Sequence, residues 1–204
     1  MTKPVQTPAK NNFDLPTKAL ADAITKEAGE KLKPLTMLAY TAIDRIAPQT
    51  QMVVEALMTY ADTDTLCYRS LDSAELAEQQ KKEWTPILTW SSGKLGAIWQ
   101  TTGSVMPATQ PAVLHEELQK YLNSLDAFQL SAASIISSLC SSLVLAMAVV
   151  EKQLSAKEAF RLSRLEEESQ ASRWGRDDEA DKRAAKMEAE IIEAGEFLKL
   201  LDAA

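Results

Sequence analysis

Apolar side chains recur every three or four positions through most of this 204-residue chain, and that spacing predicts a largely helical protein. Thr17 is the expected N-cap of the first helix. Two capping boxes, Asp72 with Glu75 and Ser155 with Glu158, are expected to open two others. The predicted helices cover residues 18–28, 35–46, 48–60, 73–83, a stretch restarted by Pro86, 112–122, 126–153, 155–174 and 177–201.

Three segments break the helical pattern. Residues up to about Pro16 contain several prolines around Ala9-Lys-Asn, which favours a hairpin or a sheet edge. Asp62–Arg69 is predicted to be a turn followed by a short extended piece, because its side-chain oxygens compete for backbone hydrogen bonds. Ile98–Thr102 is the one interior strand candidate.

The uncharged run between Asp126 and Glu151 resembles a membrane span, since residues 127–150 are long enough to cross a bilayer. A membrane-anchored helical scaffold is therefore one alternative. The run also holds six serines and a glutamine, and its most apolar part, Leu143–Val150, is only two turns long. No cluster of Lys or Arg flanks it to set an orientation. We therefore expect a central helix that is buried by its neighbours in a soluble bundle.

Composition narrows the classes of partner. The apolar fraction of 46% is normal for a globular protein, whereas the net charge of −7 argues against binding to nucleic acid or to anionic lipid. Cys67 and Cys140 are far apart in apolar settings, which indicates buried free thiols and a reducing compartment. The first dozen residues have no apolar run, so a secretory signal is not expected. We therefore predict a cytoplasmic or mitochondrial matrix protein.

The sequence offers little chemistry for catalysis. None of the six glycines falls in a GxxxxGK or GxGxxG pattern, so neither ATP-driven action nor a nucleotide cofactor is expected. The single histidine, His115, is expected on a solvated surface. Asp62 and Asp64 are interpreted as a turn that caps neighbouring backbone, with a metal or catalytic role as the weaker alternative. We predict no catalytic site and no metal site.

An acidic cluster in Arg161–Gly175 is the most informative feature of the C-terminal third. If the predicted helix over residues 155–174 is continuous, Arg164 reaches Glu167 and Glu168 in ordinary surface ion pairs. Glu166 would instead lie on the inner edge, four residues after Leu162. A carboxylate there is costly unless a cation pairs with it. Either this protein or a partner is expected to supply that cation.

Four separated blocks of the sequence resemble the F1-ATPase assembly chaperone family, whose members handle the α subunit of F-type ATP synthase. Shorter similarities occur at Pro4–Pro8 and Leu15–Thr17. The chain departs from the family pattern at Ser169, where tyrosine is common, and at Thr85, where aspartate is common. The four blocks are Leu35–Arg45, Asp62-Thr-Asp-Thr-Leu-Cys-Tyr-Arg69, Trp84-Thr-Pro-Ile-Leu-Thr-Trp90, and Leu162–Gln170 followed by Trp174-Gly175.

The resemblance implies an α+β fold that is mostly α, with a small strand-containing N-terminal part followed by a multihelical domain. On that basis residues 1–34 would be the remainder of the N-terminal domain and residues 35–204 the helical chaperone domain. The implied function is that of a non-enzymatic, ATP-independent chaperone. It would bind the free α subunit before the β subunit arrives, in mitochondria or in α-proteobacterium-like bacteria, and we expect a monomer.

We hypothesise that Glu166 and the neighbouring acids meet a basic group on the client, and that a tryptophan is the apolar anchor, since tryptophan is enriched in binding hot spots. The alternative is that Glu166 pairs internally with Arg45 or Arg69. The candidate partner-binding residues are Glu166, Glu167, Glu168, Trp174, Trp84, Trp90, Asp62 and Asp64.

Overall fold

Helices make up most of the part of the chain that the computed structural model describes, which is residues 5–30, 33–104, 106 and 108–203. A π-helical turn at Ala42–Ile46 and a 3-10 turn at Ala47–Gln49 lead into α3, and a 3-10 turn at Thr65–Cys67 precedes α4. The α-helices are α1 (Lys18–Lys26), α2 (Pro34–Thr41), α3 (Thr50–Met58), α4 (Ala74–Leu95), α5 (Ala112–Ser124), α6 (Ala127–Cys140), α7 (Leu143–Val150), α8 (Ala156–Ser163), α9 (Leu165–Trp174) and α10 (Asp178–Asp202).

Helix α7 is the centre of the hydrophobic core. Every residue from Leu143 to Val149 is buried, because α4, α6, α8 and α10 all pack around it. An isolated helix of this length is unstable in water, so its stability comes from this packing. Each fully buried Leu or Val side chain contributes about 1.5–3 kcal/mol.

The predicted single helix over residues 126–153 is wrong. Ser141 takes a left-handed conformation, with φ 48° and ψ 38°, and ends α6. Ser142 then caps α7 by accepting a hydrogen bond from the Leu145 backbone N–H. Across the described residues, no helix combines the length and the apolar character that a bilayer crossing requires, which contradicts the alternative of a membrane span at 127–150.

Helix α4 runs unbroken through Pro86, so the predicted restart at that residue is also wrong. The proline ring is exposed, while Trp84 and Leu88 on the opposite side are buried in the core. Their burial outweighs the lost helical hydrogen bond. The helix is capped by Ser73 rather than by Asp72, since the Ser73 side chain accepts the Leu76 N–H.

Extended structure among the described residues amounts to two isolated bridges. One is antiparallel, Gln6 with Asn12, and the other is parallel, Tyr68 with Thr102. The predicted interior strand at 98–102 is thus reduced to a single bridge, and the strand-containing N-terminal part is not confirmed. Pro4 lies outside the described residues. The domain boundary at residue 34 stays a prediction.

The predicted helix over residues 155–174 is divided at Arg164, whose φ of −109° and ψ of 16° separate α8 from α9. The Ser155–Glu158 capping box and the Thr17 cap are confirmed. Gly195 lets α10 lie directly on α8, because a Cβ at this position would be 2.5 Å from the Cβ of Ala156. This contact fixes the C-terminal half of α10 on the core, and Ala184 and Met187 of the first half are half-buried against the core.

Candidate partner-binding surface

We call α9, the turn that follows it and the first half of α10 the arm (residues 165–190). Leu165 is the one buried residue of the arm. Gly175 forms the turn between the helices with φ 95°, a conformation that favours glycine. The arm carries nine carboxylates and five cations, so it contributes much of the chain's net negative charge.

Two arginines hold the arm in place. Arg176 donates to Glu168 of α9 at 2.6 Å and to Asp181 of α10 at 3.1 Å, and so it joins the two helices across the turn. Arg173 donates to the Ser73 side chain, which caps α4. The tip of the arm therefore lies beside the start of α4.

The three consecutive glutamates of the arm have different surroundings. Glu167 pairs with Arg164 at 3.5 Å, whereas Glu168 pairs with Arg176 rather than with Arg164 as expected. Glu166 accepts a hydrogen bond from the Gln170 amide at 3.4 Å, and no cation of the described chain lies within ion-pairing distance of it. All three glutamates are exposed.

Glu166 was expected on the inner edge of a helix, and the structure shows it on the outside. The reason is the break at Arg164, which gives α9 a rotation different from that of α8. The alternative of an internal ion pair with Arg45 or Arg69 is absent from the described residues. Arg69 donates instead to the carbonyl oxygens of Leu66 and Tyr68.

The tryptophans divide between core and surface. Trp174 at the end of α9 is 77% exposed, whereas Trp84 is 1% exposed and donates its indole N–H to the Leu162 carbonyl at 2.9 Å. Trp90 is half-buried against the core and Trp99 is buried. Trp174 is therefore the tryptophan that this conformation presents to a partner.

The two aspartates of the Asp62–Arg69 turn have different roles. Asp64 is fully buried, and its carboxylate accepts hydrogen bonds from the N–H groups of Leu66 and Val144 and from the Ser142 hydroxyl, at 2.8–3.0 Å. The turn thus caps the start of α7 from a distant part of the chain. Burial raises the pKa of Asp64 to about 6.

Asp62, in contrast, is half-exposed on another surface. Its carboxylate lies 3.2 Å from the Nε2 atom of His115 and accepts the Gln110 N–H at 3.4 Å. His115 was expected to be solvated, but the structure pairs it with Asp62 and buries part of its ring. Within the described residues no three His, Cys, Asp or Glu side chains converge on a place that would hold a metal ion.

The structure therefore brings together four of the eight candidate residues, Glu166, Glu167, Glu168 and Trp174, on the arm. Sequence reasoning missed Arg173 and Arg176, which position that arm. A signal was present, because Arg176 directly follows the turn glycine and has acids on both flanking helices.

Comparison with known proteins extends this description. The chain matches the crystal structure of Atp12 from Paracoccus denitrificans with a TM-score of 0.92 and 37% sequence identity, over 98% of this chain and 88% of that one. The chain belongs to the ATP12 chaperone family. The family profile, described as ATP12 chaperone protein, matches residues 2–92. The arm lies outside that range, so its relation to the family rests on the structural match.

Two further similarities agree with membership of the ATP12 family. Atu1473 of Agrobacterium tumefaciens matches with a TM-score of 0.88 and 34% identity, over 98% of this chain and 76% of that one. The mitochondrial protein atp12 of Schizosaccharomyces pombe is 28% identical over 151 residues, which is 70% of this chain. The match spans 52% of the length of the S. pombe protein.

Proposed function

We propose that this protein is an ATP-independent assembly chaperone for the F1 head of an F-type ATP synthase. It binds the free α subunit and prevents its aggregation before the β subunit arrives. Membership of the ATP12 chaperone family supports the chaperone class. The observation that carries the proposal for this chain is the exposed acidic arm with Trp174 at its tip.

The arm has the features expected of a reversible contact with another polypeptide. An unassembled subunit exposes apolar surface that promotes aggregation. Trp174 gives that surface a large apolar anchor, and exposed tryptophans of this kind often dominate binding energy. The carboxylates around it select a basic partner and set its register more than they add affinity.

Within the arm, Glu166 is the residue best suited to meet a cation of the client. Glu167 and Glu168 already have arginine partners, whereas Glu166 has only a long hydrogen bond from Gln170. A cation that approaches Glu166 therefore does not have to displace an existing ion pair. Of the other candidates, Trp84 and Asp64 are buried, so we assign them to the stability of the fold.

We propose that release of the client occurs without nucleotide hydrolysis, and the lack of a GxxxxGK or GxGxxG pattern in the sequence supports this. We propose that the β subunit competes for the same apolar surface of the α subunit. Such exchange requires moderate affinity, which suits a small exposed arm better than a deep apolar cleft. We propose a monomer in the bacterial cytoplasm or the mitochondrial matrix; the S. pombe relative is named as mitochondrial, and the Paracoccus denitrificans structure is from a bacterium.

Co-expression with the α subunit tests this function. We expect soluble α subunit and a co-purifying complex when this protein is present, and aggregated α subunit when it is absent. The β subunit, added later, is expected to displace the chaperone. If the α subunit precipitates equally with and without this protein, the proposed function is wrong.

A further inference from the structure

A groove lies between α4 and the extended segment 98–101, on the side of α4 near the tip of the arm. Its volume is about 810 Å³. One wall is a strip of α4 that includes Ala77, Lys81 and Leu88, and the other wall includes Ile98 and Trp99. Arg69 lies at the lining as well, so the groove combines apolar and basic groups.

The extended wall is fixed in place before any ligand binds. Trp99 is buried and donates its indole N–H to the Ser91 hydroxyl at 3.1 Å, while its backbone N–H donates to the Ser92 hydroxyl. The buried side chain of Gln110 pairs with both backbone groups of Gln100, at 2.9 and 3.0 Å. A wall held in this way loses little conformational freedom when a partner binds.

One exposed aliphatic side chain lies on this wall, and a second lies in the segment that follows Arg69. Ile98 is 71% exposed and Leu71 is 72% exposed. Leu71 packs against Gly103, where an added Cβ would lie 2.9 Å from a Leu71 methyl carbon. Single exposed aliphatic residues are ordinary. Ile98, however, lines the groove, and Arg173 of the arm binds Ser73, which directly precedes Ala74 of the groove lining.

The charge of the groove is opposite to that of the arm. Arg69 and Lys81 both line it, and no carboxylate of the described chain lies within ion-pairing distance of either residue. The Arg69 guanidinium is held by two backbone carbonyls and lies 5.4 Å from the centre of the Trp84 ring. Glu78 is the one carboxylate among the lining residues. In a chain of net charge −7, this is a local surplus of positive charge.

We propose that this groove binds an extended client segment in which an Asp or Glu lies next to aliphatic residues. The carboxylate binds Arg69 and Lys81, and the aliphatic side chains contact Ile98. A held arginine suits this role, because its planar guanidinium forms paired hydrogen bonds with carboxylates. The inference rests on the proposed function and adds a second contact, since the arm takes a basic group and the groove an acidic one.

Site-specific cross-linking tests the location and the chemistry of the ligand. A photo-crosslinking residue replaces Ile98 in one variant and Met52, a 63% exposed residue of α3, in a control. Irradiated complexes with the α subunit are digested and analysed by mass spectrometry. We expect α-subunit peptides that contain Asp or Glu beside aliphatic residues from position 98 and little product from position 52. Equal yields, peptides without a carboxylate, or cross-links between two copies of this chain would overturn the proposal.

Charge reversal gives an independent test. Lys81→Glu is expected to raise the dissociation constant for the α subunit about fivefold, whereas the control Lys26→Glu should change it less than about twofold. Both lysines are exposed and neither is part of an ion pair among the described residues. If wild type captures the α subunit and Lys81→Glu does so equally well, the groove proposal fails alone. If wild type captures no α subunit, the proposed function fails and the groove proposal with it.

Discussion

Helix α7 and the arm (residues 165–190) are close in sequence, but their environments are opposite. Seven of the eight residues of α7 are buried, whereas one of the ten residues of α9 is. In α7 each side chain contacts the core from several directions, so almost any change there should affect stability. At the exposed positions of the arm few contacts would be lost, so changes there should affect binding and leave the fold intact.

Among the variants that test this contrast, we expect Asp64→Ala to have the largest effect on stability. The Asp64 carboxylate accepts hydrogen bonds from Leu66, Ser142 and Val144, and removing it leaves buried donors at the start of α7 without partners. We expect the free energy of unfolding to fall by about 3–5 kcal/mol. Urea denaturation measures this change. The control is Asp62→Ala, at a half-exposed position two residues away. This variant should lower the free energy of unfolding by about 1 kcal/mol or less.

The same carboxylate predicts how stability depends on pH. The folded pKa of Asp64, about 6, is above its usual value of 3.8, so the folded state binds the proton more tightly than the unfolded state. The contribution of Asp64 is therefore greatest below about pH 4 and declines as pH rises to about 6, by about 3 kcal/mol in total.

Urea denaturation of wild type and Asp64→Asn at pH 4, 5, 6 and 7 tests whether the contribution of Asp64 to stability falls as pH rises. The difference in free energy of unfolding between the two proteins should shrink as pH rises through the window. A carbon NMR titration of the Asp64 carboxyl group should show a midpoint near pH 6. A constant difference, or a midpoint near 4, would contradict the account.

A smaller loss of stability is expected from Trp84→Phe. Together with Trp174→Phe, this variant compares a buried tryptophan with an exposed one. The change removes the hydrogen bond to the Leu162 carbonyl and leaves a gap beside Arg69. We expect a loss of about 2 kcal/mol in the free energy of unfolding. Trp174→Phe should change it by less than about 0.5 kcal/mol. Thermal denaturation of the two variants measures both, and equal shifts would show that the two side chains are not as different as the structure indicates.

The parts of the fold that follow local chemistry were predictable from sequence. The Thr17 cap, the Ser155–Glu158 box and the turn at Gly175 each depend on residues within one helical turn. The break at Ser141 depends on a distant part of the chain, because Asp64 caps the helix that follows it. Pattern reasoning also failed at Pro86, where tertiary burial of neighbouring residues outweighs the local preference.

The candidate surface was also predictable only in part, because local sequence shows which residues are present and packing decides which way they face. The acids around Glu166 were visible in the sequence, but their orientation was not, because it depends on the break at Arg164. The exposure of Trp174 and the burial of Trp84 are likewise decided by packing across the chain. Composition identifies residues able to bind a partner, and the fold decides which of them reach the surface.

The most direct test of the central claim is the dissociation constant for the α subunit, measured on wild type and on the arm variant Glu166→Gln with Trp174→Ala. Both side chains are exposed and make few contacts. We predict that the variant binds about tenfold or more weakly. Its melting temperature should stay within about 2 °C of wild type. Unchanged affinity, or weaker binding that merely follows a large loss of stability, would contradict the assignment of the arm as the client-binding surface.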